Sequence, residues 1–359
     1  PDDPSVLFTT AGMQQFKPYY TVDADAMRDF CSLNTVSIQK CLRTSDIDEV
    51  GDESHLTFFE MFGNFSFGGY FKEDAIKWAY EFITKEMGLE IDWVSVFAGE
   101  PLDSARGESG GIPPDSESEK IWKSIDPNIK IKYAGRADNF WGPTGKEGPC
   151  GPTTEIYVNG LEIWNIVFNE FYCKSDGALE KLKTPGIDTG MGLERLAMVV
   201  QKKKNIFETD LFSSLTESLS EFEVRKQRII ADHIRASAFL ISDGVRPSNK
   251  EQGYVLRRLM RRVISYEANH EQLLKITAND TNYRHYKLDS NTLVEIYKEE
   301  NDKFSNTLRF GLKELNKFKN IDTKTAFDLY QSFGLPFEVM KDRFEGLSRK
   351  DFDKEFEKH

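Results

Sequence analysis

The stretch TFFEMFGNFSFGGYF, residues 57–71, places seven aromatic side chains and three glycines in fifteen positions. Its opening part, with the preceding leucine (LTFFEMF, 56–62), reads as a β-strand rich in aromatic residues. Working outward, SVLFTTAGM (5–13), NTVSIQKCLR (34–43), DWVSVFAGE (92–100), TEIYVNG (154–160) and EIWNIVFNEFY (162–172) read as further strands. KEDAIKWAYEFITKEMG (72–88) reads as a helix, because Ala75, Ile76, Ala79, Tyr80, Ile83 and Met87 follow the 3.6 period and Gly88 stops it. Strands that outnumber helices and follow one another imply an α+β fold, an antiparallel sheet with flanking helices, over a doubly wound parallel sheet. The rings would fill the sheet and stack on a base, while the glycines would admit a ligand to bare backbone.

The remainder divides by composition. PLDSARGESGGIPPDSESE (101–119) reads as an exposed insertion loop. From residue 223 the pattern turns helical. RIIADHIRASAFLISDG (228–244) and GYVLRRLMRRVISYEAN (253–269) read as amphipathic helices, residues 291–319 as one long helix and residues 323–344 as two shorter ones. Two domains are expected, 1–222 with the sheet and 223–359 all-helical. No apolar run is long enough to span a bilayer, so no membrane partner is expected. The opening at PDDPSVLF, already close to an apolar run, implies residues upstream. Four scattered cysteines with no C-x-x-C pair read as free buried thiols of a reducing cytoplasm, the expected location. Five histidines without H-x-x-x-H spacing argue against zinc.

Net charge is −12, yet residues 224–266 hold ten Lys or Arg against three acids, a local +7 suited to a phosphate backbone. GIDTGMGLERLAMVVQ (186–201) has G-x-G before a helix but Arg195 in place of a third glycine, so it is no dinucleotide fingerprint. GPTGKEG (142–148) falls short of a P-loop. Phosphates would then be held by arginines: Arg195 on the first turn of a helix, and Arg43 at the end of a strand, with Phe59 offering a face to a purine.

These residues sit in ordered blocks: LFTTAGMQQFKP, TFFEMFGNFSFGGYFK, DNFWGPTG, GPCGPTTEIY, EIWNIVFNEF, IDTGMGLERLA, IIADHIRASAFLISDGVRPSN and GYVLRRLMRR. In that order the chain resembles the alanyl-tRNA synthetases, a family of class II aminoacyl-tRNA synthetases, over nearly all of 5–266, and AFDLYQSFGLP extends the likeness to about 337. The resemblance implies ATP-dependent activation of alanine and its transfer to the 3′ end of tRNA(Ala). Arg43 and Arg195 would be catalytic. ATP would be bound by Arg43, His55, Phe59, Gly192 and Arg195, with Mg²⁺ accompanying it and Glu155 as candidate ligand. Alanine would be bound by Met13, Trp141, Asn165, Val167, Asp188 and Gly190, with Asp188 pairing with the ammonium. Such a pocket excludes larger side chains by volume but rejects glycine and serine poorly.

The tRNA acceptor stem would be read by Asn249 and by Gln331, which stands where the family has Asp, while Arg257, Arg258, Arg261 and Arg262 grip phosphates, two of the four facing other protein elements. The motif 2 loop RTSDIDEVG is short and acidic, so family contacts there do not carry over. The family's editing and oligomerising domains do not appear. A monomer without cis editing is therefore expected, with a separate protein clearing serine errors in trans. Two rivals stand beside this reading: a paralogue that activates an amino acid without charging tRNA, and a non-catalytic module that keeps the fold.

Overall fold

The computed structural model describes residues 6–21, 24–100, 111–344 and 346–358. They form two compact units, one from 1–43 and 59–209, the other from 44–58 and 210–359.

In the first unit the described residues form an eight-stranded sheet: β1 (Asn34–Leu42), β2 (Phe58–Ser66), β3 (Trp93–Phe97), β4 (Ile131–Ala134), β5 (Phe140–Trp141), β6 (Gly148–Val158), β7 (Leu161–Cys173) and β8 (Leu179–Gly192). The order is β1-β2-β8-β7-β6-β3-β4, with β5 on β6. Pairing is antiparallel from β2 to β3 and parallel between β3 and β4. The expected α+β sheet is present. One face of the central strands carries Ile156, Trp164, Ile166, Phe168, Ile187 and Met191, packed with Ala75, Ile76, Ala79 and Ile83 of the helical run beginning at Lys72. Strand alternation sends Glu155, Asn165, Val167, Asp188 and Gly190 to the other face. The apolar side chains thus build a core behind a polar floor.

The structure departs from the sequence reading in several places. SVLFTTAGM is no strand in its described part: residues 12–20 form a 3₁₀ helix, whose start is held by Gln14 Oε1 accepting from Thr10 N (2.5 Å) and Ala11 N (3.2 Å). Within 101–119, residues 101–110 lie outside the described residues, and Ser116 opens a helix to Ile125 capped by Asp115, which accepts from Ser118 N. The acid- and serine-rich composition concealed a capping signal. β8 was not anticipated, because Pro185 and three glycines argue against a strand. It survives because the ladder is irregular between the Phe171–Lys181 and Asn169–Gly186 pairs, where Pro185 needs to donate no bond.

The glycines of 57–71 do not admit a ligand. A Cβ at Gly63 would lie 2.4 Å from the Phe65 ring and 2.8 Å from Thr189 O, so Gly63 lets protein pack on protein. Phe65 and Phe67 are buried with Phe16, Tyr20 and Met61. Of the thiols, Cys41, Cys150 and Cys173 are buried and free, whereas Cys31 is free but exposed.

The second unit is helical, as expected, with Val224–Ser242, Glu251–Ser265, Ser290–Leu315 and Thr323–Phe333 its longest helices. The first is not amphipathic along its centre: every residue from Ile229 to Ile241 is buried. Residues 44–58 belong to this unit, burying Ile47, Val50, Leu56 and Phe58. Phe58 stacks on Phe239 at 4.2 Å, and Thr57 N donates to Asp232 (2.8 Å).

Candidate active site

The polar floor of the first unit is built by register. On β7 and β8, Asn165 faces Gly190 and Val167 faces Asp188; on β6, Glu155 faces Asn165; on β2, Met61 faces Gly192. Paired residues lie on one face, so these positions form a continuous patch across four strands. Met13 and Trp141 join Met61, Phe59 and Cys41 in one apolar cluster, and Thr144 Oγ1 lies 3.7 Å from Met13 Sδ. The structure therefore brings Met13, Trp141, Asn165, Val167, Asp188 and Gly190 into one region.

Asp188 is 4% exposed, and burial pushes its carboxyl up to about 7. Such a group gains from an ammonium, which restores the charged form. Arg43 donates Nε–H to Thr10 O (3.2 Å), and its guanidinium sits 5.0 Å from the centre of the Phe59 ring. Its fork is thereby aimed by a carbonyl and an aromatic face. Arg195, on the first turn of the helix Leu193–Val200, donates to Glu162 O and to Glu162 Oε2, both at 3.0 Å. The expected anion-holding arginine thus carries an internal carboxylate that sequence spacing did not reveal. Gly192 is the N-cap of that helix.

His55, expected to help bind ATP, belongs to the second unit, where its ring Nδ1 lies 2.5 Å from Asp52 Oδ2.

Glu155 does not fit a magnesium ligand. Its Oε2 accepts from Ser95 Oγ (3.1 Å) and Tyr157 OH (2.9 Å), and its Oε1 from Asn165 Nδ2 (3.4 Å). Burial, reinforced by Glu162, pushes its carboxyl up to about 7. Among the described residues no group of three or more His, Cys, Asp or Glu could hold a metal ion. A carboxylate whose two oxygens already accept from Ser95, Tyr157 and Asn165 is poorly placed to serve a hard cation.

In the second unit, Asn249, Arg257, Arg258 and Arg261 line a cavity of about 260 Å³ with Tyr254, Tyr330 and Gly334. Gln331 is exposed on the neighbouring helix, outside that lining. All four expected phosphate-gripping arginines have internal carboxylates. Arg257 and Arg261 meet Glu300 (3.3 and 2.7 Å), Arg258 meets Asp48 (3.2 Å) and Glu338, and Arg262 meets Asp342 (3.3 Å). Three arginines, led by Arg258, hold the buried Glu338 carboxyl down at about 2. Arg262 is only 2% exposed and also donates to Ile47 O (3.4 Å), so its expected phosphate contact is corrected to an internal role. Four acids distant in sequence, Asp48, Glu300, Glu338 and Asp342, offset part of the local +7.

The family model for tRNA synthetases class II (A) matches residues 1–350. An alanine–tRNA ligase of Borreliella afzelii is 38% identical over 412 residues, covering 100% of this chain and 67% of that protein. Another, of Rubrobacter xylanophilus, is 38% identical over 387 residues, covering 96% and 41%. The chain thus spans between 41% and 67% of the length of these two relatives. Among solved structures, a pyrrolysyl tRNA synthetase of Desulfitobacterium hafniense aligns with 56% of this chain and 52% of its own at 14% identity and a TM-score of 0.30. On the family match and the relatives that cover the whole chain, this chain belongs to the class II (A) tRNA synthetases, among the alanine–tRNA ligases.

Proposed function

We propose that the protein activates alanine with ATP and transfers it to the 3′ end of tRNA(Ala). The alanine carboxylate attacks the α-phosphorus of ATP, pyrophosphate leaves, and a mixed anhydride forms. A terminal ribose hydroxyl of the tRNA then attacks the alanyl carbonyl and AMP departs. The observation that carries this reading is the register that sets Asp188 beside Val167 and Asn165 on a floor approached by Arg43 and Phe59. Asp188 would pair with the ammonium, Val167 and Trp141 would close around the methyl group, and Phe59 would stack on adenine. Arg43 would neutralise charge on the α-phosphate. Arg195 would exchange Glu162 for the distal phosphates. In-line transfer at phosphorus needs such positioning and charge compensation more than covalent help. Magnesium would arrive with the phosphates of ATP.

The helical unit would read the acceptor stem, with Asn249 in the lining of its arginine-rich cavity. A second reading, activation without charging, is favoured by one observation: Arg257, Arg258, Arg261 and Arg262 already face protein carboxylates. The deciding experiment measures alanine-dependent ATP–pyrophosphate exchange and tRNA(Ala) charging on the same preparation. Exchange with charging supports the proposal, exchange alone supports the second reading, and neither refutes both.

A further inference from the structure

The hydrogen bonds around Glu155 form a directed chain. Ser95 Oγ accepts from Asn139 Nδ2 (2.7 Å) and from Glu155 N (3.1 Å). Both of its lone pairs are then used, so its proton must go to Glu155 Oε2. Tyr157 OH donates to that same oxygen. Two donors occupy Oε2, which leaves Oε1 for Asn165. An ionised carboxylate accepts only, so Asn165 must turn its nitrogen toward Glu155; the reversed amide would set oxygen against oxygen. The Asn165 carbonyl oxygen is consequently turned away from Glu155, and it is enclosed without a hydrogen-bond partner. A buried acceptor left unmatched costs free energy that a donor-bearing ligand would recover. The sheet register puts Asn165 two positions from the Val167–Asp188 pair, on the same face.

We infer that Glu155 is a positioning residue for the amino acid: it locks the Asn165 amide so that its oxygen, beside Asp188, accepts a hydrogen bond from the substrate ammonium. This rests on the proposed activation of alanine. It also accounts for a buried carboxylate that the metal assignment left unexplained. Asp188 supplies charge, and Asn165 supplies direction, which favours an ammonium with three donors over a neutral amine.

The test uses Glu155→Gln at pH 8, above the carboxyl's value of about 7. The new side chain must present its oxygen to Ser95 and Tyr157, so its nitrogen meets Asn165. The Asn165 amide turns over and points a donor at the ammonium. The alanine KM in pyrophosphate exchange should rise about ten- to a hundred-fold, the range for a hydrogen bond to a charged group, with the ATP KM unchanged. Combining Glu155→Gln with Asn165→Asp exchanges donor and acceptor across the pair. An acceptor then faces the ammonium again, and the alanine KM should return toward that of the wild type. A packing role would show no rescue beyond the change that Asn165→Asp makes alone. If the single variant fails to fold, the double variant, which keeps every hydrogen bond of the network, carries the test through its alanine KM. An unchanged KM in the single variant, or a raised one in the double, overturns the inference. Wild-type protein that shows no alanine-dependent exchange overturns instead the reading on which it rests.

Discussion

Lowering the pH from 8 to 6 should weaken alanine binding about ten-fold, and Asp188 is the reason. Its carboxyl, 4% exposed, is pushed by burial to about 7. The substrate ammonium pairs only with the ionised form. That form makes up about nine-tenths of the free protein at pH 8 and about one-tenth at pH 6, from simple titration around such a value. The alanine KM should therefore be level above pH 8 and climb toward one decade per pH unit below 7. Folding stability carries the opposite sign. A carboxyl whose native value lies above its unfolded value keeps its proton longer in the native state. Without substrate, its contribution to stability is fully present below the usual carboxylate range and is lost as the pH rises to about 7. Alanine should counter that loss, so the thermal shift it produces should be larger at pH 8 than at pH 6. The assay is pyrophosphate exchange at saturating ATP across this range, with thermal unfolding in parallel. Because Glu155 titrates in the same window, the series is repeated in Glu155→Gln, where the remaining dependence belongs to Asp188. Asp188→Asn should raise the alanine KM about thirty-fold or more, the loss of one partner in a buried charge pair. A KM flat from pH 6 to 8, or an Asp188→Asn variant with wild-type KM, would refute the reasoning.

Other outcomes follow from single contacts. Arg43→Lys keeps the charge but loses the planar fork held by Thr10 O and the Phe59 face, and should lower kcat for exchange about a hundred-fold while circular dichroism stays unchanged. Gly151→Ala should abolish cooperative thermal unfolding, because its Cβ would stand 1.8 Å from Phe168 O, a backbone atom in the centre of the sheet. Lys72→Met should cost about 3–5 kcal/mol in urea denaturation, since Asp115 (2.9 Å) and Glu170 (2.8 Å) would lose their buried cation. Asn249→Ala should reduce tRNA charging and leave pyrophosphate exchange intact; equal loss in both assays would remove Asn249 from acceptor-stem recognition.

Short-range pattern was enough for much of this protein. Runs rich in aromatic and β-branched residues at 34–43, 56–62 and 162–172 marked strands, and the 3.6 period of 72–88 marked a helix, because these signals depend on neighbours a few residues apart. The side chains proposed to carry the chemistry, Arg43, Asp188 and Arg195, came from ordered blocks whose residue types suit phosphate and ammonium. Tertiary structure decided what those side chains meet. Register alone tells that Asn165, Val167 and Asp188 share a face with Glu155, and a hydroxyl network assembled from β3, β6 and the short helix Arg136–Asn139 tells which way Asn165 points. Of the four arginines of 257–262 only two were expected to face protein, because the partners of all four, Asp48, Glu300, Glu338 and Asp342, lie far off in the chain. A charge's partner is set by folding, not by spacing, and that is why the sequence could name the groups while only the packed chain could say what each is bound to.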